Sequence, residues 1–88
     1  MSIFVVFRTK NSNAVRAALE ELFPRDYLEV QDGEFLISAN MTAQELSENI
    51  GISGGSNGSA IIFKMASYHG RATTEIWDWI KTKAEVGD

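Results

Sequence analysis

The residues best suited to chemistry gather late in the chain. They are Ser67-Tyr68-His69-Gly70-Arg71-Ala72, followed by Thr73-Thr74-Glu75-Ile76-Trp77-Asp78-Trp79-Ile80. This stretch holds the only histidine and both tryptophans. Histidine titrates near neutrality and can move protons. With Tyr68 and Arg71 beside it and the free N–H groups of a helix start just downstream, it can also seat an anion. Tyr68, His69, Gly70 and Arg71 are therefore the candidate ligand-binding residues. The histidine has no paired nucleophile, so no catalytic set assembles. The competing explanation is a strand-to-helix turn that simply carries polar residues. Trp77 and Trp79 are candidate interface residues, able to anchor a partner or stack on bases. Alternatively they complete the core of a small domain. Two positions apart on a helix they cannot point in one direction, so one ring is expected at the periphery, where it suits a dimer contact.

Other chemistry is harder to assemble. Gly51 to Gly58 is glycine-rich, but a phosphate cradle should follow a strand, open a helix and end in Lys-Ser/Thr. This segment follows a helical pattern, precedes a strand pattern and has no lysine; its composition predicts a flexible loop, able to act as a lid. Asp32 falls in a turn, Glu45 and Glu75 at helix starts, and Glu20 and Glu21 on a helix surface. No two or three carboxylates converge on a metal by spacing, and no cofactor is implied. Arg8 and Lys10 follow the first strand and are expected to be solvated charge.

The elements that position these residues follow from pattern. Ile3-Phe4-Val5-Val6-Phe7 is apolar on both alternating faces, as in a central strand covered on both sides. Asn11 or Ser12 caps a helix to about Phe23, with Val15, Ala18, Leu19, Leu22 and Phe23 as its apolar stripe; Pro24 ends it. Tyr27–Gln31 and Glu34–Ala39 flank Asp32-Gly33, a favoured two-residue hairpin turn whose positions tolerate positive φ. Thr42-Ala43-Gln44-Glu45 is a capping box, and Gly51-Ile52 closes that helix with a left-handed cap and a hydrophobic contact. Residues 60–67 read as a strand with Ile61, Phe63 and Met65 on one face and Lys64 on the other, nearer a sheet edge. Thr73 or Thr74 caps a last helix with Glu75 in its first turn. Ile76, Ile80 and Ala84 form its buried side, and Trp77 and Trp79 flank that stripe.

The order β-α-β-β-α-β-α predicts an α+β, ferredoxin-like βαββαβ domain over residues 1–88. Its sheet is four-stranded and antiparallel, with two helices on one face. The extra C-terminal helix covers the other face or reaches over a partner. A chain of 88 residues buries roughly 60–65% of the surface its unfolded form exposes, so its core is modest. With no cysteine, neither disulfides nor thiolate metal sites can staple it, and self-association is a natural support. A net charge of −4 disfavours broad electrostatic binding to nucleic acid. Ile3 to Phe7 and Ala60 to Phe63 are too short to cross a bilayer. The start lacks the basic region of a signal peptide, so a cytoplasmic setting is expected. The Asn-x-Ser/Thr matches at Asn40 and Asn57 are then coincidental.

Several segments together resemble a group of small bacterial and phage-associated proteins labelled SinR-like. They are Phe4-Val5-Val6-Phe7, then Phe35-Leu36-Ile37-Ser38 leading to Asn40-Met41-Thr42-Ala43-Gln44-Glu45-Leu46, and finally Tyr68-His69-Gly70-Arg71-Ala72 with Trp77-Asp78-Trp79-Ile80. That resemblance brings no activity with it. More distantly, the layout is similar to CRISPR-associated small ferredoxin-like subunits and to an antitoxin of similar architecture. Those resemblances imply a dimer, and a metal-dependent nuclease whose aspartate follows the aromatic residue of the first strand. Here the matching pair is Phe7-Arg8, an arginine in place of the acid. The expectation is a small, non-enzymatic, homodimeric interaction module. Its alternatives are that nuclease, or a binder of small anions or phosphoryl ligands at the His69–Arg71 turn.

Overall fold

The computed structural model describes residues 2–67 and 70–87, the last four as backbone only. Seven elements follow one another: β1 (Ser2–Phe7), α1 (Ser12–Leu22), β2 (Tyr27–Gln31), β3 (Glu34–Ala39), α2 (Ala43–Asn49), β4 (Ile61–Lys64) and α3 (Thr74–Gly87). The four strands form one sheet in the order β2-β3-β1-β4, and every neighbouring pair is antiparallel. This is a small α+β fold with a four-stranded antiparallel sheet and three helices.

Strand periodicity of two sends alternate side chains to opposite faces, and each face receives its own helices. Phe4 and Val6 of β1 and Phe35, Ile37 and Ala39 of β3 join Val15 and Leu19 of α1 and Leu46 and Ile50 around α2 in the larger core. On the opposite face Ile3, Leu36 and Ile80 are buried, and Val5, Leu28, Met65, Ile76, Trp77 and Trp79 pack against them. The third helix therefore lies on the sheet face that the other two leave open. It covers that face incompletely: β1 is central as expected, but Phe7 at its end is 36% exposed. The α1 stripe is also shorter than its periodicity implies. Val15 and Leu19 are buried, whereas Leu22, in the last turn, is 47% exposed.

Local chemistry sets the element ends. The Asn11 side chain caps α1 by accepting from the Ala14 N–H at 3.2 Å. The Thr42 hydroxyl accepts from the Glu45 N–H at 3.1 Å, and the Glu45 carboxylate accepts from the Thr42 N–H at 2.9 Å. These two bonds satisfy orphan donors at the start of α2. The hairpin turn is Asp32-Gly33, but only Gly33 takes positive φ, at 88°. A two-residue turn that matches strand twist by both positions needs two positive φ values. The mismatch is absorbed by a register shift between Glu29 and Gln31, since a bulge restores local twist.

The end of α2 is a Schellman motif. The Ile52 N–H donates to the Ser47 carbonyl at 2.9 Å and the Gly51 N–H to the Glu48 carbonyl at 3.3 Å, with Gly51 at φ 79° and Ile52 packed on the larger core. The glycine-rich segment beyond it is less free than its composition implies. The Asn57 N–H donates to the Gly51 carbonyl at 2.9 Å and its Nδ2 to the Ile50 carbonyl at 2.8 Å. The Lys10 N–H also donates to the Ser59 carbonyl at 2.9 Å. A Cβ at position 51 would stand 2.6 Å from Asn57 Nδ2. Gly51→Ala is therefore expected to cost about 2–3 kcal/mol, from the left-handed backbone and the displaced Asn57 hydrogen bond. Urea denaturation of the purified variant measures it; a loss within error of zero would mean the loop relaxes freely.

Candidate functional site

The last helix brings the unusual residues of the C-terminal third onto the sheet. Its backbone starts under the Thr73 carbonyl, which accepts from the Ile76 N–H at 3.1 Å and the Trp77 N–H at 3.3 Å. Ile80 is its buried anchor, 6% exposed. Trp77 and Trp79 are both half-buried and both pack against the Ile3–Leu36–Ile80 cluster. The two rings thus share the work of covering the sheet, rather than dividing into one inside and one out. Near the far end of the helix, Lys83 Nζ donates to Asp26 Oδ1 at 2.8 Å and to the Arg25 carbonyl at 3.0 Å. That pair ties α3 to the chain just before β2. The side chain of Ala84, expected on the same buried face, lies outside the described residues.

Of the candidate ligand-binding residues, Tyr68 and His69 lie outside the described residues. Gly70 is exposed with φ 144°, and Arg71 is exposed. Arg8 is exposed and takes a left-handed φ of 58°. It follows Phe7, which pairs with Ile61 at the start of β4, whereas Arg71 comes after the end of that strand. Among the described residues, no group of three histidine, aspartate or glutamate side chains is placed to hold a metal ion. No described helix is long and apolar enough to cross a membrane.

Two features were not legible as sites. A polar depression of about 320 Å³ is lined by Lys10, Asn11, Ser12, Asn13 and Asp32. The run Asn11-Ser12-Asn13 signals only a helix start. Asp32 joins it because the hairpin turn packs beside the β1–α1 loop, where the Thr9 N–H donates to the Gly33 carbonyl at 3.1 Å. Lysine and aspartate face the same space, so the depression favours neither sign of ligand. The second feature is apolar. Ile61 is 49% and Phe63 54% exposed, and Phe7 adjoins them across the β1–β4 pairing. Their alternation reads as a buried face, and only the reach of α3 reveals that they are bare.

A bidentate ion pair lies at the other side of the sheet. Arg16 Nε and Nη2 donate to the two oxygens of Glu29, each at 2.6 Å. This bidentate geometry favours the ionised carboxylate, and the hydrogen bond from Arg16 holds the Glu29 pKa below its ordinary value of 4.5. A carboxylate with a depressed folded pKa contributes stability that is complete above its unfolded pKa and lost as pH falls through the folded one. Glu29→Gln is therefore expected to flatten the decline of stability as pH falls below about 5. Denaturant midpoints measured across that window check this; parallel pH profiles for variant and wild type would show that the pair contributes nothing. Compared with protein-family models, with curated proteins and with solved structures, the chain matches none of them.

Proposed function

We propose that this chain is a small, non-enzymatic interaction module of ferredoxin-like build that works as a homodimer. The strand order β2-β3-β1-β4 with antiparallel neighbours supports that build, because a β-α-β unit split by a hairpin strand produces it. The observation that carries the functional reading is the incompletely covered sheet face. Beyond α3, Phe7, Ile61 and Phe63 are left 36%, 49% and 54% exposed along the edge strand and its neighbour, apolar surface that association would remove from water. The bare strip is distinct from the tryptophans proposed as interface residues, which pack half-buried against the Ile3–Leu36–Ile80 cluster. The cysteine-free composition supports a cytoplasmic setting.

The nuclease alternative has an arginine, Arg8, where the acid should stand, and no converging carboxylates among the described residues support it. Sedimentation equilibrium from low micromolar to near-millimolar concentration tests the proposal. A molar mass that rises toward twice the chain mass is expected. A strict monomer throughout would overturn it.

A further inference from the structure

We infer that the occupant of the bare strip is a second copy of this chain, joined antiparallel along the free edge of β4. The two four-stranded sheets would then run on as one. This inference rests on the homodimer reading and says which surface makes it.

The two edges of the sheet are built differently. Natural proteins blunt edge strands with charge, proline or a bulge. The β2 edge has a bulge between Glu29 and Gln31, and Glu29 is held in its ion pair with Arg16. The β4 edge has no bulge and a single charge, the exposed Lys64 at its C-terminal end; no charged residue occurs from Ile50 through Phe63. Each copy carries a net charge of −4, so two copies approach best over a strip that bears no acid. Interface centres are depleted of charge because burying an unpaired charge costs its hydration.

The backbone of β4 is ready to pair. In an antiparallel ladder, directly opposed residues alternate between pairs that exchange hydrogen bonds and pairs that do not. The Met65 N–H donates to the Ile3 carbonyl at 2.8 Å, and two residues back along the same register Phe63 faces Val5. The odd positions of β4 therefore bond to β1, while Ile62 and Lys64 direct their N–H and C=O groups out of the sheet.

Self-pairing then has a preferred register. A two-fold axis normal to the sheet keeps the bare faces of both copies on one side, so residues of the same face must lie opposite each other. Centring the pair on Ile62 lets Ile62 exchange both backbone bonds with its counterpart. It also sets Ile61 of each copy against Phe63 of the other in a non-hydrogen-bonded pair, where side chains approach most closely. Phe7 extends the strip in both directions. The exposed parts of Phe7, Ile61 and Phe63 amount to roughly 250 Å² per copy, against about 800 Å² per partner in a standard interface. The dimer is accordingly a reversible one, with dissociation in the micromolar range or weaker.

Phe63→Lys and Ile61→Lys change half-exposed side chains, so far-UV circular dichroism should show both variants folded. Sedimentation equilibrium is expected to give at least tenfold weaker self-association for each. Hydrogen exchange supplies a second measurement: the Ile62 and Lys64 amides of the wild type should exchange more slowly as concentration rises. A wild type that stays monomeric removes the homodimer reading and this surface with it. A wild type that dimerises while both lysine variants dimerise equally, with the two amides unprotected, overturns the β4 edge alone. Protection of those amides only on adding an alternating threonine-valine peptide, with the chain still monomeric, would give the edge to a foreign strand and overturn the second copy.

Discussion

Phe35→Ala is expected to lower the stability of this fold by about 3–5 kcal/mol, the usual cost of emptying a buried aromatic site. Phe35 is fully buried at the centre of the larger core, on the strand that pairs with both β1 and β2. Residues from both covering helices, Val15, Leu19, Leu46 and Ile50, belong to the same cluster, so no single element can shift to fill the void. Native domains hold only about 5–15 kcal/mol in all, and a fold this small sits toward the lower end. The melting temperature should therefore fall by on the order of 20 °C. Urea titration followed by circular dichroism measures the loss. A loss under about 1 kcal/mol would mean that the core collapses around the missing ring.

Ile80→Ala should act differently, although the expected loss is also large, about 2–5 kcal/mol for a buried isoleucine. Ile80 is the only buried residue that α3 contributes to the second cluster among the described side chains. The helix is otherwise held by half-buried side chains and by Lys83 against Asp26. Removing its anchor weakens docking of α3 while the larger core on the other face stays intact. Both tryptophans of the chain lie on α3, so their fluorescence reports its docking, whereas circular dichroism reports the whole. In Ile80→Ala the fluorescence transition should precede the dichroism transition. In Phe35→Ala the two should coincide, because loss of the main core unfolds everything at once. Coincident transitions in both variants would show that the two faces fold as one unit.

These outcomes separate what was legible in the residues from what was not. Turns and caps were legible because their chemistry is local. Thr42 and Glu45 need only each other and two backbone amides, and Gly51 needs only a left-handed residue where α2 stops. The bounds of β2 and β3 follow from the Asp32-Gly33 turn between two alternating runs. The hairpin bulge was not legible, since it answers a twist mismatch that exists only once the strands pair. The hydrogen bonds that tie down the glycine-rich loop have a related origin. Composition reports the freedom of an isolated chain, and Asn57 and Ser59 lose that freedom only where Ile50 and Lys10 stand within hydrogen-bond reach.

The cluster from Tyr68 to Trp79 looked like the site because rare residues gather there. The sequence by itself determined the elements and most of their ends, which depend on neighbours a few positions apart, although the strand expected over residues 60–67 pairs only as Ile61–Lys64. Tertiary structure alone decided which apolar residues are covered. Ile61, Phe63 and Phe7 carry the same pattern as buried strand residues. Whether they meet water depends on how far α3 extends over the sheet, and that is set by where Ile80 and the two tryptophans find their partners on β1 and β3, and Lys83 its partners just before β2.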